Sequence, residues 1–387
     1  MRTALRIAIL AHSTNPRGGV VHALELGDAL ARLGHDATVF APDVMGTGFF
    51  RATLCATSCV AASSVGRRNV PAMIETRIAE YVRHFERTEN RRFEVWHAQD
   101  AISSNTLATL KERGLISGFA RTVHHVDTFD DERLCALQTR AIKAADQLFV
   151  VGRVWGDWLT REFGREACHV GNGVDRSRFS PTADATDSEL RQRLDLPLGV
   201  PIFLAVGGIE ERKNSIRLLQ AFQTLRLQYP ASRLVIAGGA SLLDHDAYQA
   251  RFAGVLAHSG VSAAAVIRTG PLRQKLMPAL YRAATALVFP SIKEGFGLVV
   301  LEAMASGVPV VTSRIAPFTE YLGEDDALWC NPFDTASIAT AMARSLDGAR
   351  REQLIERGLQ IAARHDWANT AHAHLASYER LREPAHA

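Results

Sequence analysis

The sequence predicts an α/β protein built from two Rossmann-like domains, each with a parallel sheet. Short apolar runs alternate with segments long enough for helices, which is the pattern of parallel strands joined by right-handed crossovers. This alternation occurs twice, and a polar, proline-bearing stretch at 175–201 separates the two series. A chain of 387 residues is also large for a single hydrophobic core. We therefore expect one domain over 1–180 and a second over 181–365.

Each series supplies five candidate strands, recognised as short apolar runs. The first series covers 5–10, 37–41, 94–98, 121–124 and 147–151, and the second covers 202–206, 233–237, 266–269, 286–289 and 308–312. The segments between these runs are long enough to form the helices of successive βα units.

The composition is that of an ordinary globular protein. Hydrophobic residues make up 47% of the chain and charged residues 22%, with a net charge of +3. So small a charge does not demand a nucleic acid partner, and none is predicted. It does not exclude weak contact with an anionic membrane surface.

The cysteines and the apolar runs indicate a cellular setting. The five cysteines are scattered, and only Cys55 and Cys59 are close together, so no zinc site is completed. A reduced, cytoplasmic setting fits this usage best. No apolar run approaches the ~20 residues that span a bilayer. Any membrane contact is therefore expected to be peripheral, at the inner face, without insertion.

The most informative segment is 291–309, which follows the apolar run at 286–289. Its glycines precede a helix-compatible stretch that Gly307 and Pro309 would end. Glu294 lies in the turn and Glu302 on the helix. The free amides of a helix N-terminus favour an anion, and ionised carboxylates accept hydrogen bonds from hydroxyls. Phosphate together with a polyol indicates a sugar nucleotide.

This segment contains three short motifs at fixed spacing: Glu294-Gly-Phe-Gly-Leu, Glu302-Ala-Met-Ala and Gly307-Val-Pro-Val-Val. Together they resemble the signature of retaining glycosyltransferases of the GT-B fold, family 4. The alternative for an isolated pair of this spacing is a helix-start loop with two solvated glutamates. The resemblance implies two Rossmann-like domains that face each other across a cleft, with a C-terminal helix at 366–387 crossing back to the first domain. It also implies transfer of a hexose from a nucleoside diphosphate sugar to a hydroxyl acceptor, with retention of configuration.

The resemblance assigns roles within this segment. Glu302 is expected to accept hydrogen bonds from the ribose hydroxyls, and Glu294 to lie beside the donor sugar as a catalytic residue. The amides of Phe296, Gly297 and Leu298 are expected to face the sugar and the diphosphate.

A second donor segment follows the strand predicted at 202–206. Most relatives carry Gly-Arg at its start and a lysine five residues later, and both cations hold the donor diphosphate. This chain has Gly208 in place of that arginine, and Arg212 directly before Lys213. Such a pair still neutralises a diphosphate, because arginine binds bidentately and lysine as a point charge. Whether Arg212 replaces the arginine expected at Gly208 is left open by the sequence.

The first domain carries the predicted acceptor side. Gly18 and Gly19 resemble the family's glycine loop near the acceptor and the transferred sugar. In Thr122-Val-His124-His125, the first histidine resembles the active-site histidine, with His125 as the competing choice.

Two further residues, His97 and Asp100, resemble a His-x-x-Asp pattern that lines the acceptor side. Each follows or ends a predicted strand, where open α/β sheets place their ligands. A structural histidine is the alternative for His124.

No metal and no further cofactor are predicted. Asp244-His245-Asp246 spells the metal signature of the other glycosyltransferase fold, but it lies inside a GT-B-like domain, and we interpret it as a coincidence. Helix-terminal amides and basic side chains would stabilise the leaving diphosphate instead.

Alternative functions stay open: a non-catalytic sugar-nucleotide-binding homologue, a phosphorylase or an epimerase. The arginine-rich stretch at 76–92 is either a solvated helix face or a surface for anionic lipid or acceptor phosphate.

Overall fold

The protein is described here by a computed structural model that covers residues 4–66, 69–239 and 245–382. The chain divides into two compact units. Unit 1 comprises Met1–Asn172 together with Trp367–Ala387, and unit 2 comprises Gly173–Asp366. The C-terminal helix therefore belongs to the same unit as the first strand.

Unit 1 alternates strands and helices. Its elements are β1 (Arg6–Leu10), α1 (Gly18–Arg32), β2 (Asp36–Asp43), β3 (Ala56–Ala61), α2 (Val70–Glu86), a 3-10 turn (Thr88–Asn90), β4 (Val95–Ala98), α3 (Ala101–Glu112), β5 (Ala120–Val123), α4 (Glu132–Ala144), β6 (Gln147–Val150), α5 (Arg153–Phe163), β7 (Cys168–His169) and the returning helix α14 (Trp367–Arg382). Among the described residues the strands form one sheet in the order β3-β2-β1-β4-β5-β6-β7, and every pairing is parallel.

Unit 2 repeats this construction. Its elements are α6 (Ala185–Leu194), β8 (Ile202–Val206), a 3-10 turn (Glu211–Lys213), α7 (Ser215–Arg226), β9 (Arg233–Ala237), α8 (Asp246–His258), a 3-10 turn (Ala263–Ala265), β10 (Val266–Gly270), a 3-10 turn (Gln274–Leu276), α9 (Met277–Ala283), β11 (Ala286–Phe289), α10 (Leu298–Ala305), β12 (Val310–Ser313), α11 (Phe318–Tyr321), β13 (Leu328–Cys330), α12 (Thr335–Arg344) and α13 (Gly348–Arg364). The described strands form a second parallel sheet in the order β10-β9-β8-β11-β12-β13. The predicted α/β class with two Rossmann-like domains is confirmed.

Each unit has its own hydrophobic core. In unit 1, Leu10, Trp96 and Leu107 belong to a cluster that joins the sheet to the helices on one face. In unit 2, Phe203 and Phe222 belong to the corresponding cluster. Because apolar burial is the main force that holds a βα unit to its sheet, the two cores explain why two separate series of apolar runs are present in the sequence.

The strand order of each sheet reverses at one place, between β1 and β4 in unit 1 and between β8 and β11 in unit 2. Loops that leave the carboxyl ends of two such strands diverge to opposite faces of the sheet, and the crevice between them is where open α/β sheets bind ligands. The two predicted donor segments follow β8 and β11, and the glycine loop at 18–19 follows β1. His97 lies within β4, Asp100 follows it, and His124 directly follows β5.

Three strands are absent from the sequence-based prediction: β3, β7 and β13. All three lie at the edge of a sheet. An edge strand is covered on fewer sides, so it needs no continuous apolar run; in β3 only Val60 is fully buried. The remaining strand boundaries differ from the prediction by at most two residues at either end.

The arginine-rich stretch at 76–92 presents fewer free arginines at the protein surface than the sequence indicates. Arg77 is only 6% exposed, and its guanidinium donates to Glu80 and to the Ser63 carbonyl. Arg91 donates to the carbonyls of Phe85 and Glu86 at the end of α2. Arg83, Arg87 and Arg92 remain exposed. Among the described helices, none combines the length and apolar character that crossing a bilayer requires.

Candidate functional site

Two turns in unit 2 come together at the reversal point of its sheet. The first turn, 207–214, follows β8, and the second, 290–297, follows β11. The amide of Ile292 donates to the Arg212 carbonyl at 2.8 Å. The side chain of Asn214, which is 1% exposed, donates to the Pro290 carbonyl at 3.1 Å. These bonds hold the two donor segments predicted from the sequence against one another.

Glu294 is the electrostatic centre of the joined turns. Its Oε1 accepts from Lys213 Nζ at 2.5 Å and from Arg212 Nη1 at 3.0 Å. The carboxylate is nearly buried, while the Arg212 side chain is 44% exposed. Lys213 Nζ also lies over the Phe289 ring, 4.2 Å from its centroid. The structure therefore brings Arg212 and Lys213 to the first glutamate of the motif.

Glu210 is a second buried carboxylate that the sequence reasoning missed. It is 2% exposed, and its Oε2 accepts from Arg212 Nε at 3.1 Å. Arg212 is thus held between Glu210 and Glu294. The sequence does place this glutamate two positions before Arg212. A glutamate in a turn is ordinarily solvated, however, so its position did not indicate a buried role.

Burial and charge act against each other at this centre. Burial raises the pKa of Glu294, but the charges of Lys213 and Arg212 outweigh it and hold that pKa below its usual range. Burial lowers the pKa of Lys213, and the Glu294 carboxylate offsets part of that effect. Opposite charges within hydrogen-bond distance favour the ionised forms of both partners. We therefore treat Glu294 as a carboxylate and Lys213 as an ammonium at neutral pH.

The N-terminus of α10 adds backbone donors beside this pair. Gly297 caps the helix with φ +89°, and a Cβ on it would lie 2.5 Å from the Phe318 ring, so only glycine fits there. Phe296 is buried and stacks on Tyr321 with ring centroids 4.8 Å apart. Within the described part of the chain, the amides of Phe296, Gly297 and Leu298 donate to no protein acceptor.

Glu302 lies on α10, one turn and a half further along. Its Oε2 accepts from the Tyr281 hydroxyl at 2.6 Å. Burial raises the pKa of Glu302, and the Tyr281 hydrogen bond and the charge of Arg178 offset only part of that rise. Arg178 is itself held by Gln274, at 2.7 Å to its side-chain oxygen. Tyr281 therefore orients the carboxyl group of Glu302 through one of its two oxygens.

Gly208 occupies a position where no side chain fits. A Cβ there would lie 2.7 Å from the Gly239 carbonyl oxygen and 3.0 Å from Glu210 Oε1. An arginine at this position would require a backbone shift. The geometry therefore favours Arg212 as the second cation of this site, because Glu210 fills the space beside Gly208 and holds Arg212.

Substitution of Gly208 by alanine should lower the free energy of unfolding of the chain by about 1–3 kcal/mol, the usual cost of overpacking. Gly254 is the control, since a Cβ there meets nothing within 4 Å and alanine is favoured in its helix. Urea denaturation of both variants provides the comparison. Equal stability of G208A and the wild type would mean that the Gly239 carbonyl does not close this space.

In unit 1, His124 is the first residue after β5. Its Nε2 lies 2.9 Å from Gln99 Oε1, and its ring contacts that of His22 edge-on at 4.9 Å. A Cβ on Gly19 would lie 3.3 Å from His124 Cδ2. The structure thus brings Gly19 and His124 together. His125 is exposed and pairs with Asp127 at 3.2 Å, so the geometry favours His124.

The assignment of His97 to the acceptor surface needs correction. His97 is 0% exposed. Its Nε2 lies 2.8 Å from Thr122 Oγ1, and its Nδ1 lies 2.7 Å from the Tyr378 hydroxyl. Both ring nitrogens are therefore engaged inside unit 1, and His97 joins β4 and β5 to the returning helix α14.

Asp100 has a structural role at the start of α3. Its Oδ1 accepts from the Ser103 amide at 2.9 Å, and the Ser103 hydroxyl faces the Asp100 amide. This is a capping box. Asp100 Oδ2 lies 3.6 Å from His12 Nδ1, a residue after β1 that the sequence reasoning missed. Gly18 is the exposed first residue of α1, and a Cβ there meets nothing within 4 Å.

Four histidines form a cluster inside unit 1: His22, His97, His124 and His374 (the histidine cluster). Burial lowers the pKa of His22 to about 4 and that of His374 to about 3. The pKa values of His97 and His124 also lie well below the usual range, chiefly through burial. The cluster is therefore neutral at pH 7.

The described residues contain no group of three or more His, Cys, Asp or Glu side chains that could hold a metal ion. Asp244, half of the Asp-x-Asp sequence, lies outside the described residues.

Comparison with known families follows the division into two units. Residues 186–360 match the family model for glycosyl transferases group 1, and residues 16–178 match that for glycosyltransferase family 4. A D-inositol 3-phosphate glycosyltransferase of Corynebacterium urealyticum is 30% identical over 299 residues, which cover 74% of this chain and 67% of that protein. The chain belongs to the group 1 glycosyltransferases. The resemblance of the 291–309 segment to family 4 glycosyltransferases is confirmed.

Other relatives in this family are matched over a smaller share of their length. A D-inositol 3-phosphate glycosyltransferase of Acidothermus cellulolyticus is 30% identical over 73% of this chain and 62% of its own. O-antigen chain mannosyltransferase B of Escherichia coli is 36% identical over 46% of this chain and 45% of its own. The chain thus spans less than two thirds of these two relatives.

Solved structures of similar fold cover nearly the whole group 1 chain. Sucrose-phosphate synthase of Thermosynechococcus elongatus gives a TM-score of 0.80 at 22% identity, covering 97% of this chain and 99% of that one. WaaG, a glycosyltransferase involved in lipopolysaccharide biosynthesis, gives a TM-score of 0.73 at 16% identity, covering 95% of this chain and 99% of that one. HepE of Anabaena in complex with UDP and glucose gives a TM-score of 0.77 at 16% identity, covering 97% of this chain and 99% of that one. These similarities confirm the GT-B fold.

Proposed function

We propose that this group 1 glycosyltransferase moves a hexose from a nucleoside diphosphate sugar to a hydroxyl acceptor and retains the anomeric configuration. The observation that carries the proposal is the convergence of Lys213 and Arg212 on the buried Glu294, beside the free amides at the start of α10. Relatives named as mannosyltransferases and D-inositol 3-phosphate glycosyltransferases support hexose transfer, and the HepE complex with UDP-glucose supports a nucleotide sugar donor.

The diphosphate would be bound by cations and backbone amides together. A lysine ammonium carries three N–H donors and an arginine guanidinium five. The contacts to Glu294 and Glu210 use only some of them. The remaining donors, with the amides of Phe296 to Leu298, suit an anion at a helix N-terminus. They would stabilise the charge that develops on the leaving diphosphate without a metal ion.

Carboxyl groups would bind the hydroxyls of the donor. Glu302 accepts from Tyr281 through one oxygen, and its other oxygen would accept from the ribose. Glu294 would accept from a hydroxyl of the transferred sugar while it keeps Lys213 and Arg212 in place. Retention would follow from attack on the face that the diphosphate leaves, so no covalent residue is assigned. On unit 1, we assign His124, with Gly19 beside it, to a hydroxyl of the reacting sugars.

Calorimetry with nucleoside diphosphates of each base, followed by donor sugars on the preferred base, tests the proposal. We expect one base to bind in the micromolar range and its sugar to be hydrolysed slowly without acceptor. NMR of the first glycoside formed should show the same anomer as the donor. Binding with no hydrolysis and no transfer would identify a binding protein instead, and inversion would exclude the proposed mechanism.

Gly19→Ala should lower the turnover number about tenfold and leave the dissociation constant of the donor nucleotide unchanged. The added methyl group displaces the His124 ring, and small misplacements of a reacting group are costly. Gly18→Ala is the matched control, because its Cβ meets open space. Steady-state kinetics with the donor identified by calorimetry compare the two. A tenfold loss in both variants, or in neither, would remove the link to His124.

A further inference from the structure

Gln99 connects the buried His97 to the candidate catalytic His124. Gln99 is 3% exposed. Its backbone N–H donates to the Leu10 carbonyl at 2.9 Å, which anchors the residue at the reversal point of the sheet. The side-chain oxygen lies 2.9 Å from His124 Nε2. The side-chain nitrogen lies 3.3 Å and 3.4 Å from the two nitrogens of His97.

The partners of His97 settle which end of the Gln99 amide faces which ring. The Thr122 hydroxyl and the Tyr378 hydroxyl already contact the two nitrogens of His97, at 2.8 Å and 2.7 Å. The Gln99 nitrogen is almost equidistant from both, so it lies over the face of that ring, where an N–H donor is attracted by the π electrons. The amide oxygen is then left for His124, and an oxygen can only accept.

We propose that Gln99 is a positioning residue that holds His124 as the Nε2–H tautomer, so that His124 Nδ1 presents a lone pair to a substrate hydroxyl. The Nε2–H donates to Gln99 Oε1 and fixes the ring plane. Gly19 leaves just enough space for the Cδ2–Nε2 edge of the ring, and His22 contacts it edge-on. Among the described residues, no hydrogen-bond partner contacts His124 Nδ1.

The charge state of His124 agrees with this role. Burial lowers its pKa well below the usual range, and the groups that face it are all potential cations: His22, His125, His12 and Arg121. A neutral ring with one protonated nitrogen has one acceptor nitrogen, whereas a charged ring has none. The use of that acceptor toward a sugar hydroxyl rests on the proposed transferase function, but the tautomer itself does not.

Nitrogen NMR of the full chain, labelled with ¹⁵N-histidine, reads the tautomer directly. His124→Gln identifies the signals of His124 by their loss. We expect the Nδ1 signal at the position of an unprotonated nitrogen and the Nε2 signal at that of a protonated one, at pH 7 and without substrate. A protonated Nδ1 would overturn the inference, because it requires the opposite orientation of the Gln99 amide, whether or not the protein transfers sugar.

Two variants then test the consequence. Gln99→Leu removes the acceptor, so His124 should show both tautomers and the turnover number should fall about tenfold, while the dissociation constant of the nucleotide stays unchanged. Gln99→Glu keeps an acceptor oxygen, so it should keep the Nε2–H tautomer and raise the pKa of His124. Gln147→Leu is the control for loss of a half-buried glutamine in the same unit. A single tautomer in Gln99→Leu would exclude Gln99 as its cause.

Discussion

Replacement of Lys213 by methionine should raise the dissociation constant of the donor nucleotide about 10- to 100-fold and lower transfer further. Hydrogen bonds to a charged partner contribute about 1.5–3 kcal/mol, and tenfold in affinity corresponds to about 1.4 kcal/mol. Transfer falls further because the charge on the leaving diphosphate grows in the transition state, where a preorganised cation contributes most. Calorimetry and steady-state kinetics measure the two effects separately.

Methionine keeps the unbranched chain that lies beside Gly207, and Glu294 keeps Arg212 as a partner. Lys275→Met is the matched control, since Lys275 is an exposed lysine of the same unit that pairs with Glu189 at 3.0 Å. A thermal melt checks that both variants fold. Unchanged nucleotide affinity in a folded Lys213→Met variant would refute the diphosphate role.

Acidification from pH 7.5 to 4.5 should lower the free energy of unfolding of unit 1 by several kcal/mol. In the unfolded chain, histidines take up protons near their ordinary pKa of 6.5, whereas in the folded chain the pKa is about 4 for His22 and about 3 for His374. The unfolded state therefore binds more protons below pH 6.5, so stability present above that pH is lost as the pH falls toward the folded values. At pH 4.5 the loss is about 2–3 kcal/mol for each histidine.

Urea denaturation at several pH values, with hydrogen exchange to separate the amides of unit 1 from those of unit 2, measures this loss. His374→Phe should reduce the pH dependence, because a phenyl ring takes up no proton, and it replaces a ring that already packs against Phe149 with centroids 4.4 Å apart. His372→Phe should leave it unchanged: His372 lies on the same helix and makes the same type of bond to the carbonyl four residues earlier, but it is exposed. An equal slope in His374→Phe and the wild type would show that the buried cluster does not carry the effect.

The secondary structure of this chain followed from local pattern wherever a strand is central. The runs that became β8, β9 and β11 have the bounds predicted for them, because a strand covered on both sides must be apolar throughout. Three edge strands, β3, β7 and β13, were missed because an edge strand need not be apolar throughout. The motif around Glu294 and Glu302 was readable because a strand, a glycine turn and a helix are contiguous in the sequence.

The site residues divide in the same way. Lys213 and Glu294 were named from their motifs, but their contact joins positions 81 residues apart. Glu210, Gln99 and His12 carried no motif and emerged only from distances. His97 resembled an acceptor residue by position, yet Tyr378 of the C-terminal helix, 281 residues away, closes it off.

The order of residues alone therefore determined that the chain makes two sets of βα units and which turns carry glycines, cations and carboxylates, because apolar period and turn chemistry act over a few neighbouring positions. The tertiary structure alone decided that Arg212 lies between Glu210 and Glu294, that His124 faces Gln99, and that His97 is internal. Those outcomes depend on which strand ends lie side by side, and strand order is set by the packing of whole units rather than by any local segment.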